Sequence, residues 1–122
     1  GLAWATHSEP LEFFTVGEAA SPALELLAED GDPTDLAAEF ATMQGVGMTG
    51  THGTTIPPLE TGQSFQLTIT ADATNRFFTF ASMIAPTNDT FFTMQGLELF
   101  DDTGTARSDV DIAADIAVSV WD

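Results

Sequence analysis

Hydrophobic and polar positions along the chain change period near residue 64. In "SFQLTITAD", Phe65, Leu67, Ile69 and Ala71 alternate with Gln66, Thr68, Thr70 and Asp72. Period two predicts a half-buried strand. "RFFTFASMI" is apolar on both faces and predicts a central strand. In "FFTMQGLELF" the alternation slips phase: Phe92 and Met94 are even, Leu97 and Leu99 odd. Gly96 sits at the slip, the signature of a β-bulge. After the acidic turn "DDTGTARSDVD", the segment "IAADIAVSVWD" predicts a last strand with Ile116, Val118 and Val120 inward.

Before residue 64 the pattern differs. "GLAWATHSEPLEFF" reads as a short extended segment, a turn at Ser8-Glu9-Pro10 and an apolar hook. Two helices follow. Ser21 is an N-cap with Pro22 behind it, "ALELLAED" is built of strong helix formers, and Gly31 stands where a terminating glycine belongs. Asp32-Pro33 repeats the start signal, Asp35 lies in the first turn, and Leu36, Phe40 and Met43 form one apolar stripe that Gly45 and Gly47 close. Residues 48–62 are rich in Gly, Thr and Pro and predict a loop with a turn at Thr61-Gly62. The connections between strands are too short for parallel crossovers. The pattern therefore predicts a single mainly β domain over residues 1–122, an antiparallel β-sandwich with a short two-helix insertion near the N-terminus.

Composition narrows the function classes. A hydrophobic fraction of 43% with ten phenylalanines belongs to a packed globule. Nineteen carboxylates face only Arg76 and Arg107, for a formal charge of −17. Nucleic acid and anionic membrane both need Lys and Arg to neutralise phosphate, so both are excluded as partners. The acidity has a bland reading, a surface that stays hydrated in salt, and a sharper one, carboxylates converging on a hard cation. With no cysteine there is no disulfide framework, zinc–thiolate site or thiol nucleophile. No stretch approaches the length of a membrane span.

Candidate chemistry is sparse. The histidines are His7 and His52, and no G-x-S-x-G elbow is present. His7, beside Ser8 and Glu9, reads as a turn histidine bonded to backbone, and His52 as a loop residue. Trp4 and Trp121 each lie in an apolar strand segment and read as packing, with stacking on a glycan as the alternative. Asp101, Asp102, Asp109 and Asp111 cluster on one turn without the spacing of an EF-hand loop. More informative is "SMIAPTNDTFF", an apolar run cut at Pro86-Thr87-Asn88-Asp89. Such a corner puts Asn88 and Asp89 at the rim of a sheet, and "VSVWD" puts Asp122 at the end of another strand. Either corner residue could simply cap the turn. Two strand-end carboxylates at one pole are also a geometry that holds calcium.

Together, "ATHSEPLEFFTVGEAASPALELLAEDGDPTDL", "FASMIAPTNDTFF" and the terminal "VWD" resemble the spondin domain over nearly the whole chain. In animal members the corner reads Pro-Ser-Pro-Asp, and the last strand runs into Asp-Ala-Gly-Thr, of which only Asp122 is present here. The resemblance implies a C2-like antiparallel β-sandwich, a secreted or cell-surface location and one calcium held by rim carboxylates. Asp89 and Asp122 carry over as metal ligands, and Asp72 is the nearest acid for the third. With no catalytic constellation in the sequence, the expected function is a non-catalytic module for adhesion or extracellular matrix contact, with a protein or glycan partner, and a glycan-binding β-sandwich is the alternative. Family members begin with a strand upstream of "ATHS", so the domain is expected to lack its first strand. Either that strand precedes Gly1, as the family pattern implies, or a neighbouring copy fills the groove, with "GLAW" as a donated or linking segment and copies joined by β-strand addition into a filament.

Overall fold

The computed structural model describes residues 1–45, 50–55, 60, 62–85 and 87–122. Five strands run β1 Leu2–His7, β2 Gly50–Thr55, β3 Phe77–Met83, β4 Phe91–Glu98 and β5 Ser119–Trp121. They form one antiparallel sheet in the order β2-β1-β3-β4-β5. Three helices complete the fold: α1 Pro22–Asp30, α2 Thr34–Gly45 and α3 Asp109–Asp115.

The first two helices form as their caps dictate. Ser21 Oγ accepts the Leu24 N–H at 3.2 Å, Pro22 occupies the first turn, and Gly31 ends α1 in the left-handed region at φ 72°. Asp32 Oδ1 accepts the Thr34 N–H at 3.0 Å and starts α2. Both helices lie over one face of the sheet, where Ala3, Ala5 and Ala81 are fully buried. Small alanines leave room for the larger side chains above them. Leu24, Leu27, Leu36 and Phe40 fill it from the helices, and Leu11 and Phe13 from the hook. Phe13 meets Phe40 edge-on at 5.4 Å between centroids.

The register puts Trp4 beside Phe80 on the opposite face, with Phe78 and Phe92. These four rings are half-buried, with Phe80 packed on Phe92 at 5.8 Å and on Phe78 at 6.1 Å. No second sheet covers them among the described residues, so what the fold shows is a single antiparallel sheet with helices.

Three segments depart from the pattern. Residues 50–55, read as loop, form the edge strand β2, pairing Trp4 with Gly53. Period-two hydrophobicity cannot find such a strand, because Gly50, Thr51, His52, Gly53, Thr54 and Thr55 contain no apolar alternation. Gly53 is there because the Trp4 indole lies on it: a Cβ would come within 2.8 Å of that ring.

Residues 64–72, read as a strand, pair with no other strand among the described residues, although Leu67, Ile69 and Ala71 keep the more covered side and Phe65 is 46% exposed. Alternation states which face would be buried, but an unpartnered strand has no ladder to join.

The expected last strand is half helix. Ser108 Oγ accepts the Asp111 N–H at 3.2 Å, Asp109 and Asp111 sit in the favourable first turn, and Arg107 reaches the Asp115 carboxylate. Only Ser119–Trp121 remains as strand, and Ile116, Val118 and Val120 are 53%, 51% and 60% exposed rather than inward.

The N-terminal segment is corrected as well. "LAW" is no donated or linking strand but the start of β1, bonded between β2 and β3 in the middle of the sheet. Gly47, Ile56-Pro57-Pro58, Thr61 and Pro86, used above as loop and turn signals, lie outside the described residues.

Candidate metal centre at the sheet rim

The corner between β3 and β4 is closed by backbone bonds. Ile84 N–H donates to Thr90 O at 2.9 Å and Thr87 N–H to Ile84 O at 2.9 Å. The Thr87 hydroxyl also donates to Ile84 O. This fixes Asn88 and Asp89 at the rim, both exposed. On the neighbouring strand, Trp121 of β5 pairs with Phe91 of β4, which brings Asp122 to the same rim. There the Asp122 carboxyl hydrogen-bonds and repels that of Asp89, holding the Asp89 carboxyl above its ordinary value. Two like charges in contact at a solvent-facing rim repel unless a proton or a cation stands between them.

Asp72 is elsewhere. Its Oδ1 accepts the Asn75 N–H at 2.7 Å and the Thr74 N–H at 2.9 Å, capping the turn that leads into the start of β3. Those bonds pull its carboxyl below the ordinary range. The corner stands at the far end of the same strand, so the structure joins Asp89 with Asp122 and leaves Asp72 out. Asp101 is likewise satisfied locally, by the Thr103 hydroxyl and by the Thr103 and Thr105 N–H groups.

Tested against calcium, the pair supplies the anionic oxygen that a hard dication takes, although calcium needs six to eight oxygens. No group of three or more His, Asp or Glu side chains gathers among the described residues. The remaining ligands would have to be carbonyls, amide or hydroxyl oxygens, or water. Among the described residues the carboxylates brought together toward such a site are those of Asp89 and Asp122.

The histidines offer no comparable site. His7 is fully buried. Its Nδ1 bonds the Glu9 carbonyl, which can only accept, so Nδ1 carries the proton and Nε2 accepts. The Thr79 hydroxyl donates to Nε2 at 2.8 Å and accepts the Gly96 N–H at 2.9 Å. One imidazole thus ties the Ser8-Glu9-Pro10 turn to the bulge, where Gln95 and Gly96 oppose Thr79 alone. Burial holds its pKa below the ordinary value. The adjacency of His7 to the turn was legible in sequence; the partnership with Thr79 was not, because only strand register creates it.

Sheet, helical cover and paired rim carboxylates define a small antiparallel β module with Asp89 and Asp122 together at one rim. The Spondin_N family model matches residues 2–118, and the chain belongs to that family. Spondin domains are typical of extracellular proteins, and the family is not a known enzymatic one. The match stops short of Asp122, so half of the rim pair lies beyond it. Neither a curated protein nor a solved structure matches the chain. Among the described residues no helix is long and apolar enough to cross a membrane.

Proposed function

We propose that the protein is a secreted or cell-surface module that binds calcium at Asp89 and Asp122 and acts in adhesion or matrix contact without catalysis. The observation that carries this reading is the contact between these two carboxyls at one pole of the sheet. Calcium there would neutralise their repulsion and tie the β3–β4 corner to the end of β5. Asp89 and Asp122 would hold the ion, whose role is structural. Because ligation needs both carboxyls ionised, protons compete with the metal.

The C2-like sandwich that the family resemblance implies would need a second layer over the Trp4, Phe78, Phe80 and Phe92 face. Residues 64–72 have the alternation to contribute to it, and slow amide exchange at Phe65, Leu67 and Ile69 would report such pairing.

Calorimetric titration of the demetallated protein with calcium tests the function. Saturable heat that Asp89→Ala abolishes supports the reading; no heat in the parent protein refutes it.

A further inference from the structure

Between the hook and the outer side of β4 lies a cleft of about 380 Å³. Phe14 and Trp121 form its apolar end, in edge-to-face contact at 5.2 Å between centroids. Glu12 and Thr15 line one wall and Gln95 and Gly96 the other. Glu12, Thr15 and Gln95 are exposed.

Three observations say what kind of ligand fits. The first is charge. The only formal charge among the cleft residues is the Glu12 carboxylate, in a protein of net charge −17. Both arginines of the chain are engaged elsewhere. Arg76 pairs with Glu98 and lies over the Phe77 ring, and Arg107 pairs with Asp115 and takes the Glu98 carbonyl. A cation beside two aromatic rings and a carboxylate is attracted by both. The second is the strand edge. β5 pairs only with Phe91–Thr93, so past Thr93 that side of β4 has no strand beside it among the described residues. An extended chain could add there through its backbone. The third is the Trp121 indole N–H, which is buried without an acceptor. A buried donor left unpaired is costly, and a peptide carbonyl reaching it as the rings adjust would remove that cost.

We infer that this cleft docks an extended basic peptide segment of a partner protein. The lysine or arginine head lies against Glu12 and the rings of Phe14 and Trp121, and the backbone runs along β4 at Gln95–Gly96. The inference goes beyond calcium binding at the rim and does not depend on it.

The test is a titration in chelator, so that failure of the calcium reading cannot be mistaken for failure of this one. The probe is an N-acetylated, C-amidated Ala-Lys-Lys-Ala peptide, and its control carries norleucine for lysine. In the Trp4→Phe variant the indole emission reports Trp121 alone. A saturable shift with the lysine peptide is expected, weakened about tenfold by Glu12→Gln and less than twofold by Glu29→Gln, as a local charge pair requires. Amide shift mapping on the unsubstituted protein gives a second readout, with Thr15, Gln95 and Gly96 expected to move. An equal response to the norleucine peptide would overturn the inference. So would equal weakening by Glu29→Gln, which would mean diffuse attraction to a polyanion. Response to a neutral oligosaccharide in place of the lysine peptide would make the cleft a glycan site and overturn it too.

Discussion

Asp89 in the β3–β4 corner and Asp122 just past β5 meet carboxyl to carboxyl at the rim, and the Asp122 carboxyl makes Asp89 harder to ionise. The sign of the consequence is definite. Asp89 binds its proton more tightly in the folded protein than at the ordinary 3.8. Its contribution to stability is therefore complete below that value and lost as pH rises through the raised one. In the metal-free protein, Asp89→Asn should raise the melting temperature at pH 7, with the gain shrinking toward pH 4. Thermal melts of both proteins in chelator check this, and because each carries nearly the same overall charge, their difference isolates the pair. Calcium should reverse the order at pH 7.

His7 titrates in the other sense. Burial lowers its pKa, so the stability it contributes is present above the ordinary 6.5 and is lost as pH falls through the lowered value. Thr79→Val removes the hydroxyl that serves both Nε2 and the Gly96 N–H, leaving a buried imidazole nitrogen and a half-buried amide without that partner. Denaturant unfolding at pH 7.5 should show a loss of about 1–3 kcal/mol.

Gly53 cannot carry a side chain while Trp4 stays in place. Gly53→Val would drive a Cβ to within 2.8 Å of the indole, so either the ring rotates or β2 lifts from β1. The expected cost is about 1–3 kcal/mol. Trp4→Ala in the same background should recover part of it. A Gly53→Val protein as stable as its parent would mean that Trp4 does not lie on β2.

Net charge makes a separate prediction. With −17 on 12.9 kDa and only two arginines, folding brings like charges together, so added sodium chloride should raise the melting temperature. Replacing exposed Glu25 and Glu29 with Gln should reduce that salt dependence without touching the core. A melting curve insensitive to salt would leave the acidity as a matter of solubility alone.

The sequence by itself determined the features whose physics is local. Ser21, Pro22 and Gly31 set the ends of α1, since caps act through bonds within one turn. The Leu36–Phe40 stripe set the buried side of α2. The apolar run from Phe77 placed β3 in the middle of the sheet, and the phase slip at Gly96 marked a bulge that the register confirms. Family membership was legible in the same way, from the hook, the helix end and the corner. Ser108 caps α3 through an equally local bond, which the strand reading built on Ile116, Val118 and Val120 did not consider.

Tertiary structure decided everything that depends on a partner distant in the chain. It made a strand of the Gly- and Thr-rich residues 50–55, because an edge strand is held by the ladder of β1 and a tryptophan on its glycine, not by its own hydrophobicity. Among the described residues it left 64–72 without a ladder despite their alternation. It linked His7 to Thr79, and it chose Asp122 rather than Asp72 as the neighbour of Asp89. Spacing in sequence ranks carboxylates by proximity along the chain. Strand pairing ranks them by which end of the sheet they reach, and the corner and the end of β5 reach the same one.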